Sequence, residues 1–130
     1  MKKMNKSKIS VQSKADIEKC KIVEFVGDAL LSFIVREWFY KANTERNKTR
    51  ARIYEIVSNK HLAFVFDELK LELNPIFHVG NTLYKAKANQ IEHFIYQLYE
   101  EKGLDKTKEF IIQNIIGIYY KANKNENNNK

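Results

Sequence analysis

One cysteine, one proline, and no acidic residue before position 16 are the absences that bound this 130-residue chain. The lone thiol, Cys20, excludes an intramolecular disulfide and any cysteine-rich zinc site, which suits a reducing compartment. His61, His78 and His93 follow no regular ligand spacing, a further argument against zinc. No apolar stretch of about 18 residues is free of charge, and the N-terminus lacks the apolar block of a secretory signal. Those absences lead us to expect an intracellular protein, cytoplasmic or nuclear, with no membrane partner. The first residues contain no Arg and little amphipathic pattern, which argues against a mitochondrial transit peptide. No repeat shows at any period of about 20 to 50 residues.

What is present is basic at its ends. The formal net charge is +7. Residues 1–15 carry Lys2, Lys3, Lys6, Lys8 and Lys14 without an acid, and residues 121–130 carry three Lys against Glu126. Those ends hold all of the excess, leaving residues 16–120 with 15 basic and 15 acidic side chains. Both ends are polar and the last eight residues are an Asn/Lys-rich run, so a disordered basic arm over 1–15 and a disordered tail over 123–130 are expected. The N-terminal lysines could hold phosphates through a salt-sensitive, sequence-blind attraction; a solvated arm without a partner is the plain alternative.

Between them, residues 16–122 suit one domain, and the pattern is helical. Asp16 is positioned to cap a first helix reaching about Ala42. The segment 43–49 has turn composition, and a short helix from about Arg50 to Val57 follows. The spacing of Leu62, Ala63, Val65, Phe66 and Leu69 predicts a helix over residues 59–71, with Ser58 or Asn59 as its cap. Pro75 and Gly80 bracket a loop. A helix from Leu83 to Lys102 carries Ile91, Phe94, Ile95, Leu98 and Tyr99 inward and stops at Gly103. The last helix, capped by Asp105 and reaching about Ala122, faces Phe110, Ile111, Asn114, Ile115, Ile118 and Tyr119 inward. Its β-branched content also permits a strand, but about 16 unbroken residues favour helix. Trp38, Phe39, Tyr119 and Tyr120 lack the interleaved Arg of a base-stacking platform and read as core or interface.

The stretch from Ile22 to Phe39 is apolar on more than one face, as in a helix buried in a core. Within it, Glu24 and Asp28 stand at i and i+4, on one face. Ionised carboxylates in a dry interior need a cation or an opening to water. Gly27, between them, costs about 1 kcal/mol relative to Ala in a helix, so close approach of another backbone is the expected reason for it.

Glu24-Phe25-Val26-Gly27-Asp28-Ala29-Leu30-Leu31 resembles the E-F-L-G-D-A-V-L signature of the ribonuclease III family. Ile56-Val57-Ser58-Asn59-Lys60-His61-Leu62-Ala63 resembles the family's L-V-S-N-x-x-L-A segment, and Lys85 to Glu92 is similar to its K-x-x-A-D-A-x-E segment. Tyr99 to Leu104 and Lys108 to Ile111 look like Y-L-D-G-G-L and R-E-F-I. Four segments in order, over roughly residues 18 to 112, make the likeness specific. The resemblance implies an all-α, ribonuclease III endonuclease-like fold and metal-dependent hydrolysis of double-stranded RNA; with only the tail after the last helix, no double-stranded-RNA-binding domain is expected. It matches Asp28 and Glu92 to the catalytic pair. Glu24, Asp28, Asn89 and Glu92 would be oxygen ligands for Mg²⁺, with Mn²⁺ as a substitute. Lys85 and Lys87, with the N-terminal lysines, would contact RNA. Phe25 matches an aromatic that packs into a partner subunit, implying a homodimer, or a heterodimer with a related chain.

Two positions depart from the pattern. Asn89 stands where the family usually has Asp, keeping an oxygen ligand while losing a charge that holds a hard dication. Lys21 stands where Glu is usual. The short mini-ribonuclease III branch also lacks an acid at the position of Asn89 and is a nuclease group. The alternative is a catalytically inactive relative that binds RNA, dimerises or assembles a processing complex.

Overall fold

Residues with clear stop and start chemistry divide the chain. The computed structural model describes residues 2–42 and 46–128, with the side chains of residues 2–13, 46–47 and 125–128 outside the description. Helix α1 spans Lys2–Lys41, α2 Arg46–Ile56, α3 Asn59–Glu68, α4 Leu83–Lys102, α5 Leu104–Phe110 and α6 Gly117–Asn128. A 3₁₀ turn occupies Pro75–His78, and a π-helical segment, Ile111–Ile116, joins α5 to α6. The fold is all-α, with no strand among the described residues.

Ser58 caps α3, its hydroxyl accepting from the His61 N–H at 3.1 Å. Thr82 caps α4, accepting from Lys85 N–H at 3.4 Å. Gly103 ends α4 at φ 87°, a backbone state glycine enters without steric cost. The bounds of α4 are therefore those the sequence predicts.

Elsewhere the structure corrects the reading. α1 begins at Lys2, so Asp16 lies within the helix rather than at its cap. No proline and only Gly27 interrupt the sequence between Lys2 and Lys41, and nothing stops the helix short of Asp16. The segments expected as arm and tail fall at the outer ends of α1 and α6, where most side chains are undescribed. α2 starts four residues before Arg50. Asp105 sits in the first turn of α5, whose N-terminal cap is Gly103 with no side-chain hydrogen bond. Thr107, fully buried, returns its hydroxyl to the Gly103 carbonyl at 2.8 Å instead.

α4 is the central element and packs most extensively on α1 and α3. Around it Leu31, Ile34, Val35 and Phe39 of α1, Leu62, Val65 and Phe66 of α3, and Ile91 and Ile95 of α4 form one core. Ile53 and Ile56 of α2, Ala88 of α4, and Ile111, Ile115 and Ile116 belong to it as well. The wider π turn places both Ile115 and Ile116 inside, a register that regular helix spacing does not anticipate. His61 holds this segment, its Nε2 lying 2.8 Å from the Ile115 carbonyl, and burial pushes its pKa down. Phe94 and Tyr99, expected inside, are about two-fifths exposed on α4.

The larger correction concerns α1. Its apolar run is buried on one side only, and Ile22, Phe25 and Phe33 are 65%, 76% and 54% exposed. With Ala29 they form a stripe at helical spacing along the outer face.

Lys70, at φ 54°, occupies the left-handed position that closes α3. Leu71 N–H returns to the Phe66 carbonyl and Lys70 N–H to that of Asp67, at 3.2 and 3.0 Å, a Schellman closure built without its usual glycine. Lys70→Gly is expected to stabilise the fold by about 1 kcal/mol, read as a higher urea midpoint at unchanged slope.

Candidate active site

Gly27 sets the site by letting two helices touch. A Cβ built on it would overlap the Glu92 carbonyl oxygen and stand 2.7 Å from its carbonyl carbon. The backbone of α4 therefore rests directly on α1 at Gly27, which is the close approach expected of a glycine there. One residue beyond Gly27 is Asp28, and the residue it contacts is Glu92. The contact that brings the backbones together also brings these two carboxyls together.

The Asp28 and Glu92 carboxyls lie within hydrogen-bonding reach of one another. Glu92 is only 8% exposed, and its pKa is pushed up to about 9. Burial is the main cause, followed by the hydrogen bond with Asp28 and the negative charges of Asp28 and Glu24; Lys85 opposes them. At neutral pH Glu92 thus carries a proton that it donates to Asp28. Glu24 is also shifted upward, by burial, with Lys21 and Lys85 drawing it back.

These groups open on a cleft of about 460 Å³. Glu24 and Asp28 of α1 line one side, Asn89 and Glu92 of α4 another, with Lys21 and Lys85 beside them. Ile76, Phe77, Val79 and Asn81 supply a third wall, from the loop ahead of α4. Phe25 lies at the rim, largely exposed. Lys87 is turned elsewhere: it pairs with Asp67 at 2.8 Å and lies over the Phe66 ring, on the α3 side of α4. Of the N-terminal lysines only Lys14 has a described side chain, and it is exposed.

Four oxygen-bearing side chains from two helices therefore share one opening, a donor set suited to a hard dication. Among the described residues, no three His, Cys, Asp or Glu side chains are placed so as to hold a metal ion. The set fits such an ion by the chemistry of its oxygens. Glu92, kept protonated mainly by its burial, is a group that gains from an added positive charge, which would favour its ionised, ligating form.

The sequence reading missed two features. The loop wall carries no recognisable chemistry in sequence. The basic character of α2 is hidden in a balanced total: Arg46, Lys48, Arg50 and Arg52 face one acid, Glu55, within 11 residues. Arg36 and Arg50 line a groove with Thr49, Ile53 and Tyr54. Like charges at i and i+4 are unfavourable on an isolated helix, and that spacing is the signal that could have found it.

The ribonuclease III domain model matches residues 21–124. Among curated proteins, the chain is 29% identical over 115 residues to Ribonuclease 3 of Clostridium tetani, covering 80% of this chain and 48% of that one. It is likewise 29% identical over 115 residues to Ribonuclease 3 of Clostridium kluyveri, covering 80% and 46%. Ribonuclease 3 of Rhizobium meliloti is 28% identical over 101 residues, covering 70% and 42%. The chain spans about half the length of these relatives. No solved structure matches at a significant level.

Proposed function

Because this chain belongs to the ribonuclease III family, we propose that it is an endoribonuclease that hydrolyses double-stranded RNA with Mg²⁺ held between α1 and α4. The observation that carries this reading is the meeting of Asp28 and Glu92, brought together by the helix contact at Gly27, in a cleft that also contains Glu24, Asn89 and Lys85. Asp28 and Glu92 would hold the ion, with Glu24 and the Asn89 amide oxygen completing the protein's share of ligands. Held there, such an ion would supply Lewis-acid chemistry, activating water near neutral pH and offsetting charge on the departing oxygen. Lys85, on the cleft wall, steadies the scissile phosphate. Phe77, 94% buried beneath the loop, fixes the opposite wall.

A second copy of the chain would cover the Ile22, Phe25, Ala29 and Phe33 stripe. An apolar face of this kind on a 40-residue helix is costly in water. Duplex recognition then rests on backbone shape and phosphates. The α2 cations, with Arg36, offer a basic surface outside the cleft for that purpose.

The test is direct. A purified sample incubated with duplex RNA and Mg²⁺ should yield shorter duplex products, and chelation of the ion should stop the reaction. The same strands unpaired should survive, and duplex affinity should fall steeply with salt. Binding of duplex without cleavage at any Mg²⁺ concentration would favour the inactive, assembling relative, for which the missing acid at Asn89 is the supporting observation.

A further inference from the structure

Gln90 lies between Asn89 and Glu92 on α4, and its side chain points at the loop rather than into the cleft lined by those two. Its amide makes a paired contact with extended backbone: Oε1 accepts from Asn74 N–H at 2.8 Å, and Nε2 donates to the Glu72 carbonyl at 2.9 Å. This reproduces, with one side chain, the two-way bonding a neighbouring strand would provide. The loop that it holds continues into the wall residues Ile76, Phe77, Val79 and Asn81.

Further contacts make that anchorage matter to the cleft. The Asn74 side chain accepts from Ile76 N–H at 3.1 Å and starts the 3₁₀ turn. Phe77 is packed edge-on against His93 at 5.2 Å, and its carbonyl accepts from Asn81 Nδ2 at 2.9 Å. Thr82 then caps α4 at Lys85. From Glu72 to Lys85 the chain is thus pinned at its start by Gln90, in its middle by Phe77, and at its end by Thr82. Of these, Gln90 alone bonds to the loop backbone from a separate element.

Resting on the nuclease reading for its substrate, we infer that Gln90 is a positioning residue that clamps the loop at residues 72–81 to α4 and so fixes the cleft wall against which the RNA strand lies. It touches neither substrate nor ion. Its effect is on how well the opening is shaped before RNA arrives, so it bears on binding more than on the chemical step.

Gln90→Ala and Gln90→Glu in the full chain test this. Two neutral hydrogen bonds held this way correspond to about a tenfold change in loop opening. Backbone amide exchange over residues 72–81 should quicken by about that factor in Gln90→Ala without RNA, while exchange in α3 stays unchanged. KM for duplex RNA should rise roughly fivefold to tenfold, with kcat held within about twofold. Gln90→Glu keeps the oxygen that accepts from Asn74 and should fall between the two. Unchanged loop exchange overturns the inference, as does faster exchange with unaltered KM. If the unsubstituted chain cleaves nothing, the nuclease reading fails on its own. The clamp is then judged by loop exchange and by duplex affinity measured without divalent ions, and an unaltered affinity in Gln90→Ala overturns it.

Discussion

Gly27→Ala will lower the stability of this protein by on the order of 3 kcal/mol, against the roughly 1 kcal/mol that alanine ordinarily gains over glycine in a helix. The added methyl meets the Glu92 carbonyl oxygen and carbon, which belong to the backbone of the central helix and cannot swing aside as a side chain tip would. α1 and α4 must separate, and each core contact along their shared seam is loosened. A loss of that size is a large fraction of the 5 to 15 kcal/mol typical of a domain. Urea unfolding followed by far-ultraviolet dichroism reads it as a lower midpoint. Gly27→Val should fail to give a cooperative transition. An alanine variant as stable as the parent would mean that the helices do not meet at this point.

Glu92→Gln should have opposite effects on stability and on cleavage. In the metal-free fold Glu92 titrates at about 9, against 4.5 for an unperturbed glutamate. The folded state therefore keeps a proton that the unfolded chain releases, and stability declines as pH rises from about 4.5 to about 9. An amide in its place has no proton to lose. Glu92→Gln is thus expected to be more stable than the parent without metal, by on the order of 3 kcal/mol at pH 8 and by little at pH 4. Cleavage, by contrast, should fall roughly a thousandfold, since a charged ligand is gone. Thermal melts across pH and single-turnover cleavage check the two halves. A variant that is destabilised at every pH would show that Glu92 is a structural hydrogen-bond partner and not a carboxylate kept under strain for function.

Much of this was legible in the sequence wherever local chemistry decides the outcome. Thr82 and Gly103 bound α4, Ser58 caps α3, and Gly27 marks a helix contact, because capping and steric room act over a few residues. The convergence of Asp28 and Glu92 came from the likeness of two segments to a family, since no local rule links positions 64 residues apart in the chain. What escaped has a common cause. The apolar pattern of α1 is the same whether its outer face meets its own core or another copy, so burial of Ile22, Phe25 and Phe33 could not be told from exposure. The π segment depends on how Ile115 and Ile116 both reach the core while His61 meets the Ile115 carbonyl, and no period announces it. Lys87 lies two residues from both Lys85 and Asn89, which face the cleft, and only packing on α3 assigns it to Asp67. Gln90 carries no motif at all, because its partners are backbone atoms that any sequence provides.

Asn89 brings an oxygen to the cleft but no charge. Glu24, Asp28 and Glu92 face Lys21 and Lys85 around one opening, leaving a small negative excess if all are ionised. Such a site should hold a dication weakly, and an added carboxylate at position 89 should hold it more tightly. Cleavage of a duplex RNA by the parent, Asn89→Asp and Glu92→Gln, measured as a function of Mg²⁺ concentration, is the most direct examination of an ion gathered by carboxyls from α1 and α4. Cleavage by the parent that saturates with Mg²⁺, a shift of that saturation to lower concentration in Asn89→Asp, and its disappearance in Glu92→Gln are the expected results. A Glu92→Gln protein that cleaves as the parent does, or cleavage that is indifferent to Mg²⁺ in both parent and Asn89→Asp, would contradict it.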